Sequence, residues 1–290
     1  MAYTKDLIDI ILSGFRYTGS VINHPTFQNA FHDFEALNRD RMPFHYIERG
    51  ECVISTANND YHLKEGDFIA ILRPTHHHTL KSAHAQIPQT TTLICGYFEF
   101  LAIYNKPFLD SLPDVIVIKK EHMSESRRLA MVMQMLVQEV NSKEYGANVA
   151  AKSLTELLFT LILRYVLNSS FVDRGLIAGL AHPHLSKSLA VFHKDFSSPW
   201  TVKQLAHAAG LSRSKFIACF NHIIGQSPGT YMTQWRMIWA ANQLAQSDRS
   251  IFDIALSAGY QSDAAFSRAF KQFYDLAPSA YRKAAINVAY

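Results

Sequence analysis

The sequence predicts an α+β fold in two parts: an N-terminal antiparallel β-barrel with a helical hairpin, then an all-α part with two helix-turn-helix motifs. Three observations predict it. Between about residues 20 and 118, short β-branched and aromatic runs alternate with turn residues. From Met123 onward apolar residues recur at i, i+3 and i+4, and near the C-terminus one helical pattern occurs twice. A chain of 290 residues, 48% hydrophobic and 18% charged, is long enough for two buried cores and too apolar to be disordered.

Taken in order, Leu7, Ile8, Ile10, Ile11 and Leu12 make Asp6 to Phe15 a short helix that ends near Gly14. Strands are predicted at Phe44–Ile47, Cys52–Ser55, Tyr61–Leu63, Asp67–Leu72, Thr91–Phe100 and Val115–Ile118. Gly50, Asn58-Asn59-Asp60, Glu65-Gly66 and Arg73-Pro74 separate them. Many short strands with turns between them imply a small antiparallel barrel or sandwich. Leu129 to Val140 and Leu154 to Val166, on either side of Tyr145-Gly146, read as an antiparallel helical hairpin. Such a hairpin either covers the barrel or forms a dimer interface; the second helix is apolar over more than one face, which favours the interface. Gly179 and His182-Pro183 place an interdomain hinge between Gly175 and Pro183, ahead of a helix from about Pro183 to Phe196. The two parts are then residues 1–175, with the barrel at about 20–118 and the hairpin at about 122–170, and residues 183–290.

The repeated pattern carries the most information. Val202 to Phe216 and Ile251 to Phe266 each show an apolar-periodic helix, a glycine, a tight turn, a Ser N-cap and a second amphipathic helix. Leu205-Ala206 answers to Ile254-Ala255 and Gly210 to Gly259, an offset of 49. Beyond the extra Gln261, Ser212, Phe216, Phe220, Pro228 and Tyr231 answer to Ser262, Phe266, Phe270, Pro278 and Tyr281, an offset of 50. Small Ala206 and Ala255 let the paired helices cross closely, and each glycine supplies left-handed backbone at the corner. Between the copies, about Gly229 to Gln246 reads as one helix of roughly 25 Å. That is a strut suited to holding two reading helices in successive major grooves, about 34 Å apart on one face of a duplex. Charge divides the same way. From residue 181 onward there are 11 Lys/Arg against 5 Asp/Glu, net +6, and before it 17 against 19, net −2.

These residues, with Trp200-Thr201-Val202, Gly225-x-Ser227-Pro228-x-x-Tyr231, Trp235-Arg236-Met237, Phe266-Ser267-Arg268-Ala269-Phe270-Lys271 and Pro278-x-x-Tyr281-Arg282, resemble the DNA-binding domain of AraC/XylS-type transcriptional regulators. Upstream, Phe44-His45, Gly50, Tyr61-x-Leu63-x-x-Gly66-Asp67-Phe68-Ile69-x-Ile71-x-Arg73 and His77 resemble the cupin-like sensor domains that precede it. The usual Pro-Arg-Gly-x-x-His is replaced by Leu72-Arg73-Pro74-Thr75-His76-His77, which leaves the turn geometry open. The resemblance implies double-stranded DNA, an effector that is a small molecule or oxidant, and RNA polymerase as partners. It further implies a cytoplasmic, homodimeric regulator, often an activator.

On the family pattern the first reading helix offers Ser214, Ile217, Ala218 and Asn221, with Arg213 and Lys215 flanking them, and the second Asp263, Ala264, Ser267 and Arg268, with Lys271 a turn further on for the backbone. Family members commonly carry cations where this chain has Ala218 and Asn221, so the second helix is expected to contribute more. Arg236 on the strut reads as a structural ion pair rather than a DNA contact.

The run His76-His77-His78 invites a metal reading. Catalytic cupins assemble three His and a Glu, however, and this chain has His45 plus one of that run at the corresponding places; zinc wants three or four ligands. No metal, cofactor or enzymatic activity is expected, with His45 lining the barrel and the His run in a solvated loop. Effector contacts are expected from His45, His77, Cys95 and Tyr97. Cys52 and Cys95 lie in predicted strands and are either small core residues or redox sensors; Cys219 reads as structural. The three cysteines have neither disulfide-framework nor C-x-x-C spacing, and no signal peptide or spanning run is read. Two alternatives remain: a constitutive DNA binder whose barrel serves only dimerisation, and a cupin metalloenzyme fused to a DNA-targeting domain.

Overall fold

The structure, a computed structural model, describes residues 17–28, 31–35, 41–72, 78–83, 90–100, 112–168 and 174–288. The described residues fall into two compact units, one up to residue 168 and one from 174 to 288. The predicted helix Asp6 to Phe15 and His77 lie outside the described residues.

The first unit holds strands β1 (Tyr17–Asn23), β2 (Thr26–Gln28), β3 (His32–Glu35), β4 (Arg41–Arg49), β5 (Glu51–Ser55), β6 (Asp60–Lys64), β7 (Phe68–Ile71), β8 (His78–Ser82), β9 (Thr90–Phe100) and β10 (Val115–Ile118). One antiparallel sheet runs β1-β9-β4-β7-β10, with β2 also on β9; the other runs β3-β8-β5-β6. Among the described residues the sheets do not close into a barrel. They pack as a sandwich, with Ile47, Ile69 and Leu93 of the first sheet meeting Cys52, Ile54, Leu63 and Leu80 of the second. The buried Asp67 fixes one corner. Its carboxylate accepts the Lys64 and Lys120 backbone N–H at 3.0 and 2.9 Å and the Lys119 ammonium at 2.8 Å.

Three helices follow: α1 (Lys120–Glu125), α2 (Arg127–Asn141) and α3 (Ala147–Asn168). The hairpin of α2 and α3 covers the first sheet. Gly19 on β1 lies so close to α3 that a Cβ there would meet Thr155 Cγ2 at 2.5 Å. Tyr17 Oη and Thr160 Oγ1 share a hydrogen bond of 2.8 Å, and Phe159 packs against Phe98 with ring centroids 5.0 Å apart. Met131, Met135, Val149 and Leu157 remain exposed on the hairpin.

The second unit holds α4 (Leu176–Ala181), α5 (Leu185–Lys194), α6 (Val202–Ala208), α7 (Arg213–Ile224), α8 (Pro228–Gln246), α9 (Ile251–Ser257), α10 (Asp263–Tyr274) and α11 (Pro278–Val288). The stretch expected to be a hinge is instead α4, with Leu176, Ile177 and Leu180 buried and the Gly175 N–H donating to Ile223 O at 2.6 Å. Gly179, which reads as a breaker, serves close packing: a Cβ there would stand 2.3 Å from Ile224 Cδ1.

The long helix α8 feeds two cores. Tyr231 and Trp235 join Phe192, Phe216 and Phe220 in one, and Met237, Ala240, Ala241 and Leu244 join Ile254, Ala255, Phe266 and Phe270 in the other. His193 shares a 2.7 Å hydrogen bond with Tyr231 Oη inside the first, and burial pulls its imidazole down to about 3, so it is neutral there.

The repeat has one mismatch. α7 ends on Gly225 in the left-handed region (φ 83°), and α10 ends on its counterpart Asp275 (φ 57°), the one non-glycine with positive φ among the described residues. Relieving that conformation, Asp275→Gly is expected to raise stability by about 0.5–1 kcal/mol, seen as a higher urea midpoint at unchanged slope. Gly225→Asp is expected to lower the midpoint.

Candidate nucleic-acid interface

Each helix-turn-helix is assembled by local hydrogen bonds that the two copies share. Thr201 caps α6 in a reciprocal box with Gln204, and Ser250 caps α9 by accepting the Asp253 N–H at 3.0 Å. At the corners, Leu211 N donates to Ala206 O and Tyr260 N to Ala255 O, both at 3.0 Å. Gly210 N donates to His207 O and Gly259 N to Leu256 O, both at 2.9 Å, with φ of 67° and 83° at the two glycines. Ser212 then caps α7 through the Lys215 N–H at 3.4 Å, and Ser262 caps α10 through the Ala265 N–H at 3.2 Å.

Burial of Phe216 and Phe220 on α7, and of Phe266 and Phe270 on α10, turns the opposite face of each helix outward. On α7, Arg213, Ser214, Lys215 and Ala218 are exposed and Ile217 is half-buried. On α10, Asp263, Ala264, Arg268 and Lys271 are exposed, while the half-buried Ser267 donates to Asp263 Oδ1 at 3.2 Å. The side chains of Arg213, Lys215, Arg268 and Lys271 make no hydrogen bond or ion pair among the described residues. Three other arginines of this unit are committed elsewhere. Arg236 donates to Phe196 O and Ser198 O, Arg249 to Ser257 Oγ, and Arg282 to Arg249 O. Arg236 is therefore structural, but through carbonyls rather than an ion pair. These four free cations lie on the reading helices, where phosphates and guanine edges would meet them.

In the first unit, His45 on β4 stands opposite Cys95 on β9 in register. Its Nδ1 lies 3.2 Å from Cys95 Sγ, and its Nε2 lies 2.9 Å from Nε2 of His78, on β8 of the other sheet. All three side chains are buried. His78, read from sequence as part of a solvated loop, is instead an inward strand residue; its alternation with buried Leu80 is the signal that could have found it. Tyr97 is not part of this cluster, and the Arg41 guanidinium lies over its ring at 4.1 Å. Cys52 has the opposite surroundings to Cys95: burial, then the Asp67 and Glu51 carboxylates, pushes its thiol up to about 12. At neutral pH that keeps the thiol protonated. Because Cys95 and His78 sit on opposite nitrogens of His45, the three do not converge on one point, and no group of three His, Cys, Asp or Glu that could hold a metal occurs among the described residues. Cys219, half-buried on α7, has its sulfur 3.7 Å from His182 Nε2. No helix among the described residues is long and apolar enough to cross a membrane.

Comparison with known proteins follows the same division. The Cupin family profile matches residues 6–168, and a Helix-turn-helix domain profile matches residues 205–284. An uncharacterized HTH-type transcriptional regulator of Haemophilus influenzae is 30% identical over 260 residues, covering 83% of this chain and 85% of that one. A putative AraC-like transcription regulator of Streptomyces lividans is 30% identical over 265 residues, covering 83% and 86%. Similarity at this level along most of both chains, together with a cupin match ahead of paired helix-turn-helix corners, decides the family: the chain belongs to the AraC-type transcriptional regulators, which bind DNA.

Proposed function

We propose that α7 and α10 enter successive major grooves of one operator and that the cupin unit changes DNA binding in response to a small oxidant. The free cations on the two outward helix faces are the observation that carries the first half. The helix α8, at 19 residues roughly 28 Å long, is of the same order as the spacing of adjacent grooves, about 34 Å. Arg268 reads guanine or phosphate and Lys271 a phosphate one turn on. Ser214, Ile217 and Ala218 of α7 offer hydroxyl and apolar contacts, flanked by Arg213 and Lys215. Asp263 orients Ser267, and Ala264 leaves room for the base edges.

The sensing half rests on Cys95. His45 can take the thiol proton through Nδ1, while His78 holds the ring from Nε2, an arrangement that favours the reactive thiolate. A peroxide then oxidises the thiol to a sulfenic acid and leaves as water. The added oxygen has to fit between the two sheets, among Ile47, Leu80 and Leu93, and so disturbs their packing. The protein works in the cytoplasm as a homodimer joined through the exposed Met131, Met135 and Leu157, with RNA polymerase as a further partner and no enzymatic turnover.

Arg268→Ala is expected to lower affinity for a selected operator duplex by about 10- to 100-fold, more than any single substitution in α7. A titration in which Ser214→Ala costs more than Arg268→Ala would reverse the assignment of the dominant helix. In footprints taken with and without hydrogen peroxide, Cys95→Ser is expected to lose the peroxide effect and Cys52→Ser to keep it. If Cys95 of the folded protein stays unmodified while the wild-type footprint still responds, the sensing half is wrong.

A further inference from the structure

The two helix-turn-helix corners share their backbone but not their surroundings. A Cβ added at Gly210 would meet nothing within 4 Å, so its φ alone asks for glycine there. At the counterpart Gly259, a Cβ would lie 2.7 Å from Ser197 O, 3.3 Å from Arg236 Cζ and 3.4 Å from Arg236 Nε. Ser197 belongs to the loop 195–200 that leads into α6, part of the first head. Gly259 is the corner of the second. One head is therefore seated on the other through a backbone approach that any side chain at 259 would block.

The loop is built to receive it. The Asp195 carboxylate accepts the hydroxyls of Ser197, at 2.8 Å, and of Ser198, and the Trp200 indole N–H donates back to Asp195 O at 2.7 Å. These bonds fold the loop on itself and leave its carbonyls facing α8. There, Arg236 Nε donates to Phe196 O at 3.0 Å and Nη2 to Ser198 O at 2.7 Å, and the Phe196 ring packs against Trp239, with centroids 5.1 Å apart. Arg236 is half-buried and has no carboxylate partner among the described residues; burial pulls its pKa down. A rigid guanidinium fork reaches two carbonyls at once, which a lysine ammonium on a flexible stem does not reproduce.

The position along α8 matters as much as the bonds. Tyr231, Met232 and Trp235 belong to the first head, and Met237, Ala240, Ala241 and Leu244 to the second. Arg236 stands at the changeover, where bending or twisting of the helix would swing one reading helix relative to the other.

We propose that Arg236, the carbonyls of loop 196–198 and Gly259 form a lock that fixes the relative orientation of α7 and α10, making Arg236 a positioning residue for two-groove DNA recognition that does not itself touch DNA. This rests on the reading that both helices engage one duplex. When two heads are held at the spacing of the grooves, the second contact is effectively intramolecular; loosening the lock removes that advantage and leaves each head's own contacts intact.

The test uses the full chain, a duplex selected by the wild-type protein from random sequence, and the same duplex with the α7-contacted half scrambled. On the selected duplex, Arg236→Lys and Gly259→Ala are each expected to lose about tenfold or more in affinity, and their hydroxyl-radical footprints to shrink from two grooves to one. On the half-scrambled duplex they are expected to match wild type within about twofold. Gly210→Ala carries the same left-handed strain without a neighbour and is expected to keep the two-groove footprint. Arg236→Lys retaining both the wild-type affinity and footprint overturns the lock. So does an equal loss on both duplexes, which marks a general folding defect. A wild-type footprint confined to one groove refutes the two-groove reading instead, before any variant is compared.

Discussion

The DNA-binding unit depends on one helix being buried on two faces at once. Each helix-turn-helix consists of two short helices with an aromatic pair on one side: Phe216 and Phe220 in the first, Phe266 and Phe270 in the second. Neither pair can bury those rings alone. α8 supplies the missing wall to both, with Tyr231 and Trp235 toward one and Met237, Ala240, Ala241 and Leu244 toward the other. The strut is thus the shared core of two small folds, and its alanines let the second head approach closely. Spacing and stability of the reading heads are set by the same side chains.

The helix-turn-helix repeat was legible because its determinants are local. N-caps, corner glycines and a 3.6-residue apolar period act within a dozen residues, and the single inserted Gln261 shifts the register without breaking it. Sequence reading failed where a residue's role is set by distant chain. Gly179 looks like a breaker, but its lack of a side chain is explained by Ile224, at the end of α7, which the chain reaches only after α5 and α6. The strands β1 and β8 are largely polar, and their partners are long-range: β1 on β9, β8 on β3 and β5. Arg236 reads as a cation seeking an acid, whereas its partners are carbonyls some forty residues earlier, at sequence separations of 38 and 40.

The cysteines make the same point in chemical terms. Cys52 and Cys95 occupy similar strand contexts in the sequence and line one inter-sheet layer. Strand pairing gives Cys95 an imidazole neighbour from β4, and sheet packing gives that imidazole a second histidine from β8. Cys52 receives burial and nearby carboxylates. Only the three-dimensional pairing separates a thiol beside an imidazole from one beside carboxylates.

The unequal composition of the two outward helices has a consequence for promoter architecture. Ile217 and Ala218 on α7 face where Ser267 and Arg268 face on α10, so the halves of a bound target answer to different chemistry. A tandem repeat inside one chain also lacks the dyad that would let a palindrome satisfy both halves alike. If both helices engage one duplex, a site for one such chain has a direction, and inverting it in place exchanges which half each helix meets.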